Sequence, residues 1–339
     1  MTPTMTSPEP SLPFAPTLPE VLRQPASRFQ LKRGPFPDKP DLWSLDILRG
    51  SAFRLAHDPA RSARDYPGDG FVALSATAAE HLDKELSMRR EKPRMVLLGR
   101  HADPLQPLHA VQVEIGQVIE VLAKHGVVSW LHTRGIAMPH LWNVLDEQRA
   151  HVRVSVPLLS LDRNIQLAVE PFAPHDELRL KQLAELRGLQ IPIEVHIDPL
   201  LPGLTDTAQN LLPLLRHVAR LGVQRVTAGY LVLRPGVKEQ MQQALDLPGW
   251  SELVLSAYVD GPVLRDGPQP PAQYLNKVKR QRGYANLIAL AVGQGLSLQL
   301  NSLSNPDFRP PRQPSPVNLA RARSLLQTVR HSRVSAVGA

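Results

Sequence analysis

The stretch of sequence that decides the fold is residues 127–157, VVSWLHTRGIAMPHLWNVLDEQRAHVRVSVP. The apolar run Val127–Leu131 predicts a strand, and Leu141–Arg149 predicts a helix. His151–Pro157 alternates apolar and polar residues, which is the period of a strand. A strand, a helix and a second strand in this order predict two parallel strands joined by a crossover helix.

The same alternation continues on both sides of this unit. Further strands are predicted at Ser44–Leu48, Met95–Leu98, Ile191–Ile197, Val226–Leu233 and Leu296–Leu300, with helices at Leu108–Leu122, Asp176–Leu186 and Asp206–Gly222. Strands that alternate with helices predict an α/β protein with a parallel sheet, here a partial (β/α)6 TIM-type barrel. Right-handed crossovers place the helices outside, and a site is expected at the C-terminal ends of the strands.

The barrel is expected to lie between two proline-rich tails. Residues 1–40 contain ten prolines and predict a tail or an extended wrap. Residues 41–305 hold the barrel and a C-terminal extension. Residues 306–339 begin with a second Pro/Arg stretch and predict a short basic amphipathic helix, with its apolar residues at Leu319, Leu325, Leu326 and Val329.

The composition excludes several kinds of chemistry. The chain has 339 residues and no cysteine, which rules out disulfides, thiolate metal sites and a cysteine nucleophile. No apolar run reaches the length of about 18 residues that a membrane helix needs, and no secretory signal is visible, so a cytoplasmic protein without a membrane partner is expected. The net charge of +8 is compatible with nucleic-acid binding or with a mixed basic surface.

Two predicted strands carry polar residues on one face. Glu194, His196 and Asp198 alternate with apolar residues, and so do Arg153 and Ser155. The apolar faces must lie under the helices, so the polar faces are expected to point into the barrel. They predict either a ligand pocket or a self-satisfied network in which Arg153 pairs with Glu194 or Asp198.

Several ordered segments carry a resemblance to a known family. They are WSLDILRGS (43–51), ADPLQP (102–107), TR (133–134), VRVS (152–155), EPF (170–172), DPLLPGLTD (198–206) and LRP (233–235). In this order and spacing they resemble radical-SAM proteins of the spore photoproduct lyase type, also described as DNA repair photolyase-like. The resemblance runs from about residue 43 to 235 and implies the radical-SAM form of the partial barrel.

The resemblance also shows what this chain has lost. Members of the family hold a 4Fe-4S cluster on C-x3-C-x2-C, and Ser51, Leu55 and Asp58 occupy those three positions here. Serine and leucine cannot replace the soft thiolates of such a cluster. We therefore expect no cluster and no resident metal, and reductive SAM cleavage does not carry over. The sequence leaves open whether SAM still binds, because in the family the cluster iron provides most of its orientation.

Other matched positions imply a binding site that lines the barrel. The residues implied are Asp103, Gln106, Arg134, Arg153, Ser155 and Arg234. Arg134 stands where the family has lysine, and Phe172 stands where it has arginine. The leading hypothesis is a pseudoenzyme that binds a ligand or a protein partner, such as an active homologue.

Two other functions remain open from the sequence. An enzyme could use His196 for acid–base chemistry, flanked by Glu194 and Asp198. A nucleic-acid-binding module could use a basic cluster beside Tyr274 and Tyr284, because cations neutralise phosphates and tyrosines stack on bases. The cluster consists of Lys277, Lys279, Arg280 and Arg282. A basic C-terminal tail would extend it.

Overall fold

The structure is a computed structural model that describes residues 17–25, 31–33, 41–265 and 270–308. Its strands are β1 (Glu20–Pro25), β2 (Leu31–Arg33), β3 (Leu42–Leu45), β4 (Leu48–Arg49), β5 (Phe71–Ala76), β6 (Met95–Leu98), β7 (Val128–His132), β8 (Val152–Leu158), β9 (Ile193–Leu200), β10 (Arg225–Tyr230), β11 (Val263–Leu264), β12 (Ala272–Gln273) and β13 (Ser297–Leu300). Its α-helices are α1 (Ala78–Met88), α2 (His109–Lys124), α3 (Pro139–Glu147), α4 (Arg163–Val169), α5 (Asp176–Gly188), α6 (Ala208–Arg220), α7 (Val237–Asp246), α8 (Ser251–Leu255) and α9 (Lys277–Gly293).

The main sheet confirms the predicted fold class. Its eight described strands follow the order β13-β10-β9-β8-β7-β6-β3-β2. All neighbours are parallel except β2, which pairs antiparallel with β3. Strands β3 and β6–β10 are the six strands of the partial barrel, and the two edge strands extend it.

The helices bury their apolar stripes on the outer face of this sheet. In α2 the stripe contains Val111, Ile115 and Ile119, each at most 1% exposed. These side chains belong to one continuous core that also contains Val96 and Leu98 of β6. The core therefore lies between sheet and helices, which leaves the inner face of the sheet for the polar residues.

A small second sheet packs near the start of the barrel. Its order is β1-β5-β4, and the helix α1 follows β5 directly. The sequence patterns predicted no element between residues 51 and 94, so β5 and α1 are additions. Part of residues 1–40 takes part in sheets, because β1 pairs with β5 and β2 with β3.

Several predicted boundaries require correction. The helix α6 is capped by the side chain of Thr207, which accepts a hydrogen bond from Asn210 N, and the predicted cap Asp206 instead accepts one from the Tyr230 hydroxyl. His151 belongs to a short 3-10 turn and not to β8. The predicted helix within 306–339 lies outside the described residues. In the described part of the chain, none of the helices has the length and apolarity to cross a membrane.

Candidate functional site

The inner face of the barrel is polar on one wall. In the register of the sheet Ser155 lies opposite Glu194, and His196 lies opposite Thr227. Because side chains two apart share a face, Asp198 points the same way as Glu194 and His196. These three residues line a cavity of about 920 Å³, as the alternation in the sequence leads one to expect.

The two walls of this cavity differ in chemistry. Leu97 and Trp130 contribute apolar surface from β6 and β7. The opposite wall is built by β9, β10 and β13 and carries Glu194, Thr227 and Gln299. Small-molecule sites combine apolar surface with a few convergent polar groups, and this cavity has both, with a larger polar share than is usual.

His132 is held in one orientation by Ser155. The Trp130 Nε1 group donates to Ser155 Oγ at 3.1 Å, and Ser155 Oγ lies 2.9 Å from His132 Nδ1 and 3.3 Å from Leu131 O. Ser155 Oγ donates its one hydrogen to Leu131 O, so it accepts from Trp130 Nε1 and from His132 Nδ1. This pattern places the His132 proton on Nδ1 and leaves Nε2 as an acceptor. Burial, His196 and Arg134 together lower the pKa of His132 well below its ordinary value of 6.5, so the ring is neutral at pH 7.

His196 is the polar group on this wall with spare hydrogen-bonding capacity. Its ring lies edge-on to that of His132, with 5.2 Å between centroids. Its Nε2 atom is buried and has no hydrogen-bond partner among the described residues, and Glu194 Oε2 lies 3.8 Å away. A buried polar atom without a partner costs free energy, so the arrangement favours a bound group that would pair with it.

A buried ion network lies at the upper end of the barrel, at the C-terminal ends of the strands, and is built from side chains that do not line the cavity. Arg134 Nε donates to Glu170 Oε1 at 2.6 Å, and Arg179 Nη2 donates to Glu170 Oε2 at 2.6 Å. His57 Nε2 lies 3.2 Å from Glu170 Oε1, and Arg134 also donates to Asp198 O at 2.9 Å. The side chains of Glu170 and Arg179 are fully buried.

The charges in this network stabilise one another. Burial alone would raise the pKa of Glu170, but Arg179 and Arg134 outweigh it and hold that pKa well below its usual range. Burial raises the pKa of Asp198, although Arg134 and Asn301 act in the opposite direction. The Asn301 side chain donates to Asp198 Oδ2 at 3.0 Å. Glu170 is thus a carboxylate held by two arginines.

Asp103 and Gln106 organise loops rather than face the cavity. Asp103 accepts hydrogen bonds from Thr133 Oγ1 and Arg134 N, both at 2.6 Å. The fully buried Gln106 accepts from Ala52 N at 2.6 Å and donates to Gly50 O at 3.2 Å. The family-like segment at 102–107 therefore fixes the loop in which the cluster cysteines would lie.

The three cluster positions do not fit a 4Fe-4S group. Ser51 Oγ accepts from Phe53 N at 3.2 Å, and Leu55 is a buried aliphatic side chain. The Asp58 carboxylate accepts from Ala60 N at 2.8 Å and caps a short 3-10 helix. A hydroxyl, a hydrocarbon and a capping carboxylate cannot supply three thiolates. In the part of the chain that the structure describes, there is also no group of three His, Asp or Glu residues that could hold a metal ion.

None of the six implied ligand-binding residues lines the cavity, and two of them lie apart from the contacts described above. Arg153 is exposed and does not line the cavity. In the sheet it pairs with Trp130 of β7, two residues before Ser155 on the same strand. Asp198 contacts Arg134 and Asn301, so the predicted pair of Arg153 with Asp198 is not formed. Arg234 does not line the cavity either, and its Nη1 atom is buried without a hydrogen-bond partner in the described residues.

The predicted nucleic-acid cluster is largely used within the fold. Arg280 is fully buried and donates to both carboxylate oxygens of Asp307 at 2.8 Å. Lys279 pairs with Asp260 at 2.7 Å, and Lys277 donates to Asp307 O at 3.0 Å. Tyr274 and Tyr284 are buried, so they cannot stack on bases, whereas Lys277, Lys279 and Arg282 of the cluster are exposed. The basic C-terminal tail lies outside the described residues.

Some cavity residues were missed by the sequence patterns. Gln299 of β13 and Asn301 directly after that strand line the cavity. Glu170, which does not line it, is the centre of the ion network. The alternation SLQLN at residues 297–301 contains the signal for the first two. Nothing in the local sequence of Glu170 reveals that Arg134, 36 residues away, and Arg179, nine residues away, converge on it.

The fold and the cavity define a radical-SAM-type barrel that has no cysteine for a cluster. Solved structures of spore photoproduct lyase share this fold, which confirms the resemblance at the level of the fold. A cysteine-to-serine mutant of that enzyme gives a TM-score of 0.66 at 10% identity, covering 83% of this chain and 82% of its own. A mutant with bound AdoMet and dinucleoside spore photoproduct gives 0.62 at 11% identity, covering 82% and 81%. Identities this low establish the fold alone.

Relatives by sequence are uncharacterised proteins. One from Mycobacterium tuberculosis is 28% identical over 204 residues, which is 58% of this chain and 60% of that protein. One from Acidianus two-tailed virus is 22% identical over 194 residues, 56% of this chain and 62% of that protein. The match therefore spans about 60% of the length of these relatives. No family model matches the chain.

Proposed function

We propose that this protein is a cluster-free, radical-SAM-like protein that binds a small ligand in the barrel and does no radical chemistry. One contrast carries the proposal. The loop at Ser51, Leu55 and Asp58 is closed by contacts within the chain, whereas the barrel below it keeps a cavity of about 920 Å³ with polar groups on one wall. The site of the cofactor is lost and the site of a ligand remains.

The proposed ligand is nucleoside-like. The cavity of about 920 Å³ limits the volume of this ligand. That volume lies near the upper end of the range of about 300–1,000 Å³ that is typical of small-molecule sites. A flat ring would lie on Leu97 and Trp130 and would offer a hydrogen-bond donor to His132 Nε2 and a partner to His196 Nε2. The solved neighbour with AdoMet and a dinucleoside bound supports this ligand class, because both of its ligands contain nucleosides.

The proposal includes no resident cofactor. We derive no step through an iron–sulfur cluster, because its three positions do not fit one. SAM is proposed neither as a substrate nor as a cofactor, since the orientation that a cluster iron gives is missing. Without its own chemistry such a protein would act through a protein partner, and an active homologue is the partner that we propose.

Thermal unfolding tests ligand binding. The purified protein is heated with and without S-adenosylhomocysteine, 5′-deoxyadenosine, SAM and a thymidine dinucleoside, and its iron content is measured after anaerobic reconstitution. A ligand at 100 times its Kd stabilises the folded state by about 2.7 kcal/mol, which is an easily measured shift. A shift without bound iron supports the proposal. Stoichiometric iron, or no shift with any nucleoside, contradicts it.

A second candidate function is an acid–base enzyme in the same cavity. The observation that favours it is His196, whose Nε2 is unpartnered and lies 3.8 Å from Glu194. His196→Ala would then abolish turnover of a bound ligand at unchanged folding stability. His217→Ala is the matched control, because His217 is an exposed residue of α6 outside the cavity. Binding of a nucleoside without turnover in the unmodified protein would exclude this candidate.

A further inference from the structure

The cavity continues to the N-terminal ends of the strands. Besides the upper residues, it is lined there by the turns that precede β9 and β10. We call this end the lower mouth and define it by Arg187, Gln190, Gln224 and Arg225. In barrels of this kind a site is expected at the opposite end, so a lined opening here requires its own explanation.

Arg187 is fixed at the lower mouth by a glycine. Its Nη1 group donates to Leu221 O, and its guanidinium lies against Gly222. A Cβ atom at Gly222 would lie 2.6 Å from Arg187 Nη1, and the φ of +67° at this position also favours glycine. A guanidinium has five N–H donors, so one bond to Leu221 leaves donors for a ligand.

Arg225 faces the same opening from β10. It lies two residues before Thr227, which pairs with His196 on the inner face, so Arg225 shares that face. Glu194 is the nearest acidic residue of the cavity wall by register, and Asp198 lies at the upper end. Two guanidinium groups and two side-chain amides therefore face one carboxylate, which gives the lower mouth a surplus of positive charge and of donors.

We propose that the lower mouth binds an oxyanion, which is either a phosphate or a carboxylate. This anion would be the terminal group of the molecule that occupies the barrel. Guanidinium groups bind these anions with paired N–H donors, which provides both charge and geometry. The inference that the bound molecule also contains a flat ring depends on the proposed function. The anion subsite depends only on Arg187 and Arg225 and is tested without a nucleoside.

Anion binding is measured by thermal unfolding in pyrophosphate or citrate at constant ionic strength. The chains compared are the unmodified protein, Arg187→Met with Arg225→Met, and the control Arg216→Met, an exposed arginine of α6 that does not line the cavity. The expected result is at least a tenfold weaker apparent Kd in the double variant alone. The stronger of the two probes identifies the terminal group as phosphate or carboxylate. No stabilisation of the unmodified protein, or equal stabilisation of all three, overturns the subsite.

A second measurement needs no ligand and uses the absence of cysteine from the chain. Thr227→Cys places one thiol on the inner face above Arg225. The ratio of its alkylation rates with iodoacetate and with iodoacetamide reports the local potential, because the first reagent is anionic and the second is neutral. Adding Arg187→Met and Arg225→Met is expected to lower this ratio several-fold, and an unchanged ratio overturns the inference. If pyrophosphate binds in an arginine-dependent way but no nucleoside binds, the proposed function fails and the subsite stands.

Discussion

The upper end of the barrel and its polar wall use the same residue types in opposite ways. At the upper end Glu170 receives two arginines and a histidine, and Gln106 uses both ends of its amide. On the wall the buried His196 Nε2 has no hydrogen-bond partner among the described residues, and the His196 side chain lines a cavity of about 920 Å³. Polar groups that satisfy one another stabilise a fold, and polar groups left open to a cavity are available to a ligand.

The largest expected effect tests the upper end. Glu170→Gln removes the carboxylate that Arg134 and Arg179 share, although Arg179 keeps Asp176 at 2.8 Å. Breaking a buried ion pair costs about 3–5 kcal/mol. The free energy of unfolding in urea measures this loss. Asp146→Asn is the control, because Asp146 and Arg149 form an exposed pair at 2.9 Å. An exposed pair contributes about 0–1 kcal/mol, so equal losses in the two variants would contradict the role of the network.

A smaller effect is expected at the loop that Gln106 holds. Gln106→Ala leaves the buried Ala52 N–H without its acceptor, which costs about 1–3 kcal/mol. In the variant, hydrogen exchange should be faster at the backbone amide of Ala52 and in the segment of residues 50–52. The exposed Gln242 provides the control Gln242→Ala. Unchanged protection of Ala52 would show that the loop is held by other contacts.

The pH dependence of stability tests the neutral histidine of the wall. The pKa of His132 is lowered on folding, so its contribution is present above about pH 6.5 and is lost as the pH falls. One proton gives a slope of at most about 1.4 kcal/mol per pH unit. Unfolding in urea at pH 7.5 and 5.5 should show a smaller acid-induced loss for His132→Asn than for the unmodified protein. Equal losses would place the titration at another group.

The smallest stability effect is expected on the open wall itself. Gln299 is exposed to the cavity, so Gln299→Ala should change the free energy of unfolding by no more than about 0.5 kcal/mol. The same change should reduce the thermal shift produced by a bound nucleoside. A large stability loss would show that the wall belongs to the scaffold and would remove the contrast with the upper end.

The sequence predicted the barrel because its signals are local. Alternation in Ile193–Asp198 places Glu194 and His196 on the inner face, and the structure has them there. Other features depend on contacts between residues far apart in the sequence. Arg280 is buried against Asn305, 25 residues away, and Arg134 reaches Glu170 across 36 residues. Composition and spacing carry no such information, so exposed cations and buried ones look alike in the sequence.

The open sheet gives the barrel a mechanical property. Strands β2 and β13 form its two edges, and in the described residues they do not pair with each other. A closed barrel has a diameter fixed by its strand number and stagger. Here a change in sheet twist would widen or narrow the space between the edges while every ladder hydrogen bond is kept. The width of the barrel is therefore not fixed by closure of the sheet, as it is in a closed barrel.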